Sequence, residues 1–173
     1  MATLLIMALP EESQNRFENA QIEVHYSGIG AVKAAYLTHK LILERKPSRI
    51  VNLGTAGSFK FKQAELVECS SFVQRFPTNL TIPGFAKITA SEFLTNFPKA
   101  VCGSGDFIQS EPGASFDIMD MEAYAIAYVC AKLNVSFHSI KYVTDSSNEN
   151  TYKDWKKNLN SASAALLEVY KTL

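Results

Sequence analysis

Short apolar segments alternate along the chain with longer segments in which apolar residues recur at helical spacing. The strand-like segments are residues 3–8, 22–27, 49–53, 65–76, 100–108, 115–119 and 136–144. The helical segments are residues 29–45, 121–133 and 152–173, with one more short helix expected near 91–97. Strands that alternate with helices pack as layers around a largely parallel sheet. The pattern therefore predicts an α/β fold with three α/β/α layers and a mixed, largely parallel central sheet.

Bulk composition agrees with a single domain over residues 1–173. Of these residues 47% are hydrophobic, which provides for a sizeable core. Lysine plus arginine equals aspartate plus glutamate at 17 each, and a neutral chain without a basic run is not expected to bind nucleic acid. No apolar stretch approaches the roughly 20 residues that cross a bilayer, so no membrane partner is expected.

The cysteines and the first residues favour a reducing, cytoplasmic setting. Cys69, Cys102 and Cys130 are widely spaced and form no C-x-x-C pair, so no zinc site is indicated. Cys69 and Cys130 lie in apolar runs and are expected to be buried. The apolar residues 1–9 carry no basic residue and run directly into Pro10, which favours a core strand over a signal peptide.

Acidic residues cluster where the predicted strands end. They are Glu11, Glu12, Asp120, Glu122 and Asp145. In layered α/β folds the ligand lies at the carboxyl ends of the strands, so this clustering indicates a binding site. Acids at helix starts also stabilise a helix by interacting with its dipole. This purely structural explanation suits Glu11, Glu12 or Asp120 taken singly.

Glu122 is the acid least easily explained as a surface residue. It opens a nearly uncharged helix whose residues 123–127 are expected to be buried. A carboxylate in such a place costs several kcal/mol of desolvation unless it is paired or hydrogen-bonded. The hydroxyl groups of a ligand would serve as its partners.

Two glycine segments connect predicted strands to the elements that follow them, at residues 27–30 and 54–57. Glycine there permits a close approach of the backbone to a ligand, or a positive φ. Neither segment matches the dinucleotide-binding or P-loop pattern. Each is equally compatible with a plain turn and with a ligand contact.

Six segments, taken in chain order, resemble the methylthioadenosine/S-adenosylhomocysteine nucleosidases of the purine nucleoside phosphorylase superfamily. They are MALPEE at 7–12, SGIG at 27–30, NLGTAG at 52–57, SGDFI at 104–108, DMEAYAIA at 120–127 and TD at 144–145. Each is loose alone, and the six in the family's order are fairly specific. The resemblance implies a nucleoside phosphorylase-like fold, a purine nucleoside substrate and hydrolysis of its N-glycosidic bond. It implies no cofactor, neither metal nor organic.

The resemblance also implies a role for individual residues. Glu12 resembles the general base that activates water, Asp145 the general acid that protonates N7 of the purine, and Glu122 the carboxylate that holds the ribose hydroxyls. The other residues expected to bind substrate are Met121 against the sugar, Phe107 stacked on the base, Ile108 at the base edge, Ala56 and Gly57 on the base side, Trp155 beside the 5′ substituent, and Thr55, Ile29 and Thr144.

Water is favoured over phosphate as the second substrate. Phosphorylases that resemble this family bind phosphate with arginines, one of them just before the G-[ST]-x-G turn, and residues 50–53 contain none. Lys141 stands where the family often has arginine. A phosphate-dependent phosphorylase, a catalytically silent nucleoside-binding module and an α/β scaffold without a ligand are the alternatives. The resemblance further implies a homodimer, and shortening between residues 12 and 27 and between 57 and 107 leaves the 5′ specificity open.

Overall fold

The computed structural model describes residues 2–76, 84–108 and 115–173, and strands alternate with helices over these ranges. The strands are β1 (Thr3–Met7), β2 (Val24–Tyr26), β3 (Arg49–Ser58), β4 (Leu66–Gln74), β5 (Ile88–Thr89), β6 (Lys99–Ser104), β7 (Ile118–Asp120) and β8 (Ser136–Asp145). The helices are α1 (Pro10–Ser13), α2 (Arg16–Asn19), α3 (Ala31–Arg45), α4 (Ala123–Lys132) and α5 (Thr151–Tyr170).

The strands and the three long helices predicted from the hydrophobic pattern are confirmed, with boundaries that differ by a few residues. Helix α3 ends at Arg45 because Lys46 takes a left-handed φ of 48° and Pro47 cannot continue a helix. Strand β3 extends to Ser58, so the second glycine segment is part of a strand and not a turn. Its backbone groups are used by ladders to neighbouring strands on both sides.

The prediction of a short helix near residues 91–97 is wrong. The segment is irregular because its backbone donors are taken by side chains. The N–H groups of Leu94 and Thr95 donate to the buried Glu68 carboxylate at 2.7 and 3.1 Å, and Phe97 N–H donates to the Thr95 hydroxyl at 3.2 Å. Local side-chain acceptors thus compete successfully with helical hydrogen bonds.

The sheet is mixed and largely parallel, as expected. Strand β1 lies parallel to β2 and β3, β3 parallel to β8, and β6 parallel to β4 and β7. Antiparallel pairing joins β3 to β7, β4 to β5 and β4 to β8. Because β8 pairs with both β3 and β4, the ladders run from β3 through β8, β4, β6 and β7 and return to β3. Two groups of parallel strands are thereby held around one curved part of the sheet.

Two apolar clusters cover the faces of the sheet, and alternate residues of β1 supply both. Leu4 and Ile6 pack in a cluster with α3 and α4, whereas Leu5 and Met7 pack in a second cluster with α5 and Phe17 of α2. This division follows from the two-residue period of a strand. Helices therefore lie on both sides of the sheet.

Two further expectations concern the cysteines and the membrane. Cys69, Cys102 and Cys130 are buried free thiols, as predicted for Cys69 and Cys130. Over residues 2–76, 84–108 and 115–173 the structure contains no helix with the length and apolar character needed to cross a bilayer.

Candidate active site

A cavity of about 320 Å³ lies where strand ends converge. This volume is at the lower end of the roughly 300–1,000 Å³ typical of small-molecule sites. Every site residue predicted from the sequence lines it, namely Glu12, Ile29, Thr55, Ala56, Gly57, Phe107, Ile108, Met121, Glu122, Thr144, Asp145 and Trp155. Asp120, one of the clustered acids, lines it too, as do residues that the sequence did not single out for the site: Ala8, Leu9, Arg75, Met119, Ser147, Thr151 and Tyr152.

A short antiparallel ladder explains why these ends meet. Gly57 of β3 pairs with Met119 of β7, and Ser58 pairs with Ile118. The ladder joins the carboxyl end of β3 to the first two residues of β7, which runs in the opposite direction. Asp120 and Glu122, at the end of β7 and just after it, therefore line the same cavity as Glu12 and Asp145.

Glu12 is buried with only 4% exposed, and backbone donors from two elements hold it. As the third residue of α1, its Oε2 accepts the N–H groups of Ala8 at 3.2 Å and Leu9 at 3.3 Å, which caps the helix start. Its Oε1 accepts both the N–H and the hydroxyl of Thr55, each at 2.8 Å. A Cβ on Gly54 would lie 3.1 Å from Oε1, so the absence of a side chain at position 54 leaves room for the carboxylate against β3. The carboxylate therefore both caps a helix and forms part of the cavity wall.

Asp145 is the last residue of β8 and is buried. It lies against Gly57 of β3, whereas Glu12 lies against Gly54 and Thr55 of the same strand. Its Oδ1 accepts Ser147 N–H at 2.9 Å and the Thr151 hydroxyl at 3.2 Å, and its Oδ2 accepts the Thr144 hydroxyl at 2.9 Å. A Cβ on Gly57 would lie 2.7 Å from Oδ1 and 2.2 Å from the Ser147 hydroxyl. Only glycine fits at position 57 without moving the carboxyl group.

Asp120 forms a buried ion pair that the sequence did not predict. Its Oδ2 lies 2.9 Å from the Lys141 ammonium, and the two side chains are 2% and 3% exposed. Oδ2 also accepts Ala123 N–H at 2.9 Å, so Asp120 caps α4 as the structural reading proposed. Burial would raise the pKa of Asp120, but Lys141 and hydrogen bonds from Ser104 and Ala123 hold it below its usual value.

Lys141 is the cation around which three acids of the site gather. Burial alone would lower its pKa, but attraction to Asp120, Glu122 and Glu12 raises it above the usual value. A Cβ on Gly54 would stand 3.4 Å from its ammonium nitrogen, on the side of Glu12. The ammonium thus neutralises part of an acidic cluster at the base of the cavity.

Glu122 is buried at the start of α4, as its sequence context predicted, but it already has a protein partner. Its Oε1 accepts the N–H of Gly30 at 2.8 Å, at the start of α3. The Gly30 N–H therefore meets part of the desolvation cost inside the protein, and the expected contact of this carboxylate with ligand hydroxyls stays a prediction. Burial raises the pKa of Glu122 to about 8, and repulsion by Asp120 adds to the shift while Lys141 opposes it.

We expect this raised pKa to appear as a pH-dependent stability difference between the wild type and Glu122→Gln. Below the ordinary pKa of 4.5 both the folded and the unfolded wild type keep the proton, and above it only the folded chain does. The wild type therefore loses stability relative to the variant as pH rises from 4.5, and the loss levels off above about 8. Melting temperatures of both proteins from about pH 4 to about pH 9 test this. A constant difference would contradict it.

Arg75 is a functional residue that the sequence reading missed. It is 5% exposed, and its guanidinium donates to the carbonyl oxygens of Gly103, Gly105, Phe107 and Asp120. The guanidinium carbon lies 4.6 Å from the ring centroid of Phe107. Arg75 thus holds the loop after β6 against the end of β7. An arginine directly after a strand-like segment is the signal that could have revealed it, because a charge that becomes buried there needs partners.

The loop that carries Phe107 is also tied to α3. Asp106 Oδ1 accepts Ala31 N–H at 2.9 Å, next to the Gly30–Glu122 hydrogen bond. Phe107 is half-buried on the cavity wall, and Ile108 is 70% exposed at its mouth. The expected contacts of both residues with a purine remain predictions.

Comparison with known proteins agrees with this geometry. A family model described as the phosphorylase superfamily matches residues 107–173. A 5′-methylthioadenosine/S-adenosylhomocysteine nucleosidase of Buchnera aphidicola is 26% identical over 91% of this chain and 82% of its own length.

Two solved structures share the fold. The Helicobacter pylori 5′-methylthioadenosine/S-adenosylhomocysteine nucleosidase with butyl-thio-DADMe-Immucillin-A superimposes with a TM-score of 0.86 at 19% identity, over 99% of this chain and 97% of that one. The futalosine hydrolase of the same species gives a TM-score of 0.86 at 19% identity, over 98% and 95%. The family model over residues 107–173, the similar sequence and the common fold agree with the six motifs, and the chain is similar to members of the phosphorylase superfamily.

Proposed function

We propose that the protein hydrolyses the N-glycosidic bond of a purine nucleoside of the methylthioadenosine or S-adenosylhomocysteine type. The products are a free adenine-type base and the corresponding ribose derivative. The nucleosidases to which the chain is similar carry this activity in their names. The proposal also depends on the position of two carboxyl groups along β3.

The spacing of Glu12 and Asp145 is the observation that carries the proposal. Gly54 and Thr55 contact Glu12, whereas Gly57 lies against Asp145. Two to three residues of strand at about 3.3 Å each place the contact points of the two carboxyl groups on β3 roughly 7–10 Å apart. Glycosidases that add water directly keep their two carboxyl groups about 6.5–9.5 Å apart, which leaves room for the water.

Asp145 is the proposed general acid. The bond from C1′ to N9 breaks more easily when N7 of the purine accepts a proton, because the departing base is then neutral. Oδ1 of Asp145 already accepts two donors, from Ser147 and Thr151. Oδ2 accepts the Thr144 hydroxyl and is therefore the oxygen proposed to pass a proton to N7.

Glu122 and Glu12 are proposed to act on the sugar and the water. As the bond to the base breaks, the ribose gains positive charge. The hydroxyl donors of a bound ribose and this charge both favour the ionised form of Glu122, whose pKa burial otherwise raises to about 8. Glu122 lines the cavity with one oxygen on Gly30 N–H and offers the other to the ribose. Glu12 takes a proton from the water whose oxygen bonds to C1′.

Water is preferred to phosphate on the basis of the cations. The Arg75 guanidinium donates to backbone carbonyls, and the Lys141 ammonium is paired with Asp120. Both cations are therefore engaged by protein oxygens. A phosphate near Lys141 would also face the Glu12 carboxylate across Gly54 and be repelled by it.

Release of free base from a panel of nucleosides, with and without phosphate, tests the proposal. The panel contains methylthioadenosine, S-adenosylhomocysteine, futalosine, adenosine and inosine. Base released without phosphate supports the nucleosidase, and the substrate turned over fastest reports what the 5′ pocket accepts. Release that requires phosphate would identify a phosphorylase. A folded protein that binds adenine but releases no base from any of them would contradict an enzymatic role.

Gly57→Ala is expected to lower turnover by about 10–100-fold, since a misplacement of about 1 Å has effects of this size. The added methyl group would collide with the Ser147 hydroxyl and with Oδ1 of Asp145. Ser147→Ala is the matched control, because it removes the more flexible obstacle and leaves Asp145 in place. If Gly57→Ala and Ser147→Ala/Gly57→Ala are both as active as the wild type, Asp145 does not need its observed position.

We also propose a homodimer in a reducing, cytoplasmic setting. Val32, Tyr36 and Leu43 lie on one face of α3 and are 79%, 71% and 58% exposed. Ile29, at the start of the same helix, lines the cavity, so a second copy on this face would cover the cavity mouth. The three buried free thiols support the reducing setting.

A further inference from the structure

A chain of hydrogen bonds links the carboxy-terminal helix to Glu12. The indole N–H of Trp155 donates to the Thr55 hydroxyl at 3.1 Å, and this hydroxyl donates to Glu12 Oε1 at 2.8 Å. Trp155 belongs to α5, and it is 100 residues from Thr55 in sequence. None of the roles implied by the sequence resemblance includes this link, because Trp155 is expected there only beside the 5′ substituent.

The direction of the chain is determined by its members. An indole N–H can only donate, and a hydroxyl has one proton to give. Since Trp155 occupies a lone pair of the Thr55 oxygen and cannot accept, the hydroxyl proton points to Glu12. Without the indole the hydroxyl could rotate to another acceptor. Trp155 therefore keeps Thr55 in the orientation that holds Oε1.

The ring of Trp155 is itself held in place. It stacks on Tyr152, with ring centroids 5.9 Å apart and planes inclined by 26°. Both aromatic residues line the cavity. The donor at the end of the chain therefore lies on α5 at the cavity wall.

We propose that Trp155 is a positioning residue for the reaction, acting on Glu12 through the Thr55 hydroxyl. The inference rests on the proposed hydrolysis, in which Glu12 takes a proton from water. Trp155 does not exchange a proton itself. It keeps the carboxylate oriented toward the water, so its loss lowers the rate of the chemical step more than the binding of substrate.

A double-mutant cycle with Trp155→Phe and Thr55→Val tests this role. Phenylalanine keeps an aromatic ring at the wall and removes the donor, and valine keeps the shape of threonine and removes the hydroxyl. We expect Trp155→Phe to lower kcat by about 3–10-fold with KM changed less than about twofold, as for the loss of one hydrogen bond. In the Thr55→Val background the same change should have no further effect on kcat. Thr55→Ser keeps the hydroxyl and should restore the sensitivity to Trp155→Phe.

A spectroscopic measurement tests the link without any turnover. Trp155 is the single tryptophan of the chain, so its emission is observed alone. We expect Thr55→Val to shift the emission maximum to shorter wavelength, because the indole N–H loses its acceptor, and Thr55→Ser to leave it in place.

The outcomes separate the two proposals. A wild-type protein that releases no base overturns the proposed hydrolysis and with it the role of Trp155. In an active protein, equal losses for Trp155→Phe in the wild-type and the Thr55→Val backgrounds, or a change confined to KM, overturn the role of Trp155 alone. An emission maximum that Thr55→Val leaves unchanged also overturns it.

Discussion

Asp145→Asn is expected to lower kcat for methylthioadenosine by about 10²–10⁴-fold, the usual contribution of a general acid. Asparagine has the size of aspartate, and its carbonyl oxygen can accept Ser147 N–H in place of Oδ1. The fold should therefore survive. What is lost is the proton for N7 of the purine, without which the base leaves as an anion. Base release at saturating substrate measures the effect, and thermal melting checks the fold.

A substrate whose leaving group needs no proton provides the internal control. Nitrophenyl riboside releases a stabilised phenolate, so Asp145→Asn should reduce its hydrolysis far less than that of a purine nucleoside. Asp154→Asn is the matched variant, because Asp154 bonds to Gln63 in an exposed position away from the cavity. Equal losses for both substrates would show that Asp145 does not act as the acid.

Lys141→Met is expected to lower the free energy of unfolding by about 3–5 kcal/mol, the cost of leaving a buried charge without its partner. The ammonium lies 2.9 Å from Asp120, and both side chains are almost fully buried. Burial would raise the pKa of Asp120, and Lys141 is the main group that holds this pKa down. Removal of the Lys141 ammonium should therefore raise the pKa of Asp120. The deficit relative to the wild type should then shrink as pH falls toward the ordinary value of 3.8, where Asp120 takes a proton.

Two comparisons make the result specific to the buried pair. Asp120→Asn combined with Lys141→Met removes both charges and keeps an acceptor for Ala123 N–H, so the double variant should regain most of the lost stability. Lys60→Met breaks an exposed pair with Asp117 at 2.7 Å and should cost at most about 1 kcal/mol. Chemical denaturation of the three variants measures these differences. If Lys141→Met costs no more than Lys60→Met, the buried pair does not support the fold.

Much of the fold could be predicted because its signals are local. The period of two in strands such as β1 and of 3.6 in helices such as α5 is set by the backbone, and burial then selects apolar side chains at those periods. The helix prediction for segment 91–97 is wrong because the backbone donors of this segment bind Glu68, on a different strand. The sequence alone is compatible with a turn at the glycine segment 54–57. The hydrogen-bond ladders that make this segment part of a strand join it to β7 and β8, and the local sequence does not indicate these partners.

Most of the candidate site could also be predicted, for a different reason. Apart from Trp155 in α5, each predicted residue follows a strand or lies in a short motif, and strand ends meet at one place in such folds. Arg75 and Lys141 were not recognised as members of the site. Both cations bond to carbonyl or carboxylate groups on other strands. The residues next to Arg75 and Lys141 in sequence do not indicate these partners.

By itself the sequence determined the order of the main strands and helices and the α/β class, because periodicity is a local property of a chain. The residues that meet in the cavity were implied by the resemblance of its short motifs to a known family. Only the tertiary structure decided the partners of those residues. Gly30 donates to Glu122 across 92 residues, and Trp155 donates across 100 residues to Thr55, whose hydroxyl donates to Glu12. The physical reason is that orientation and ionisation depend on groups within about 4–6 Å in space, and the chain brings these groups together only when its sheet has closed.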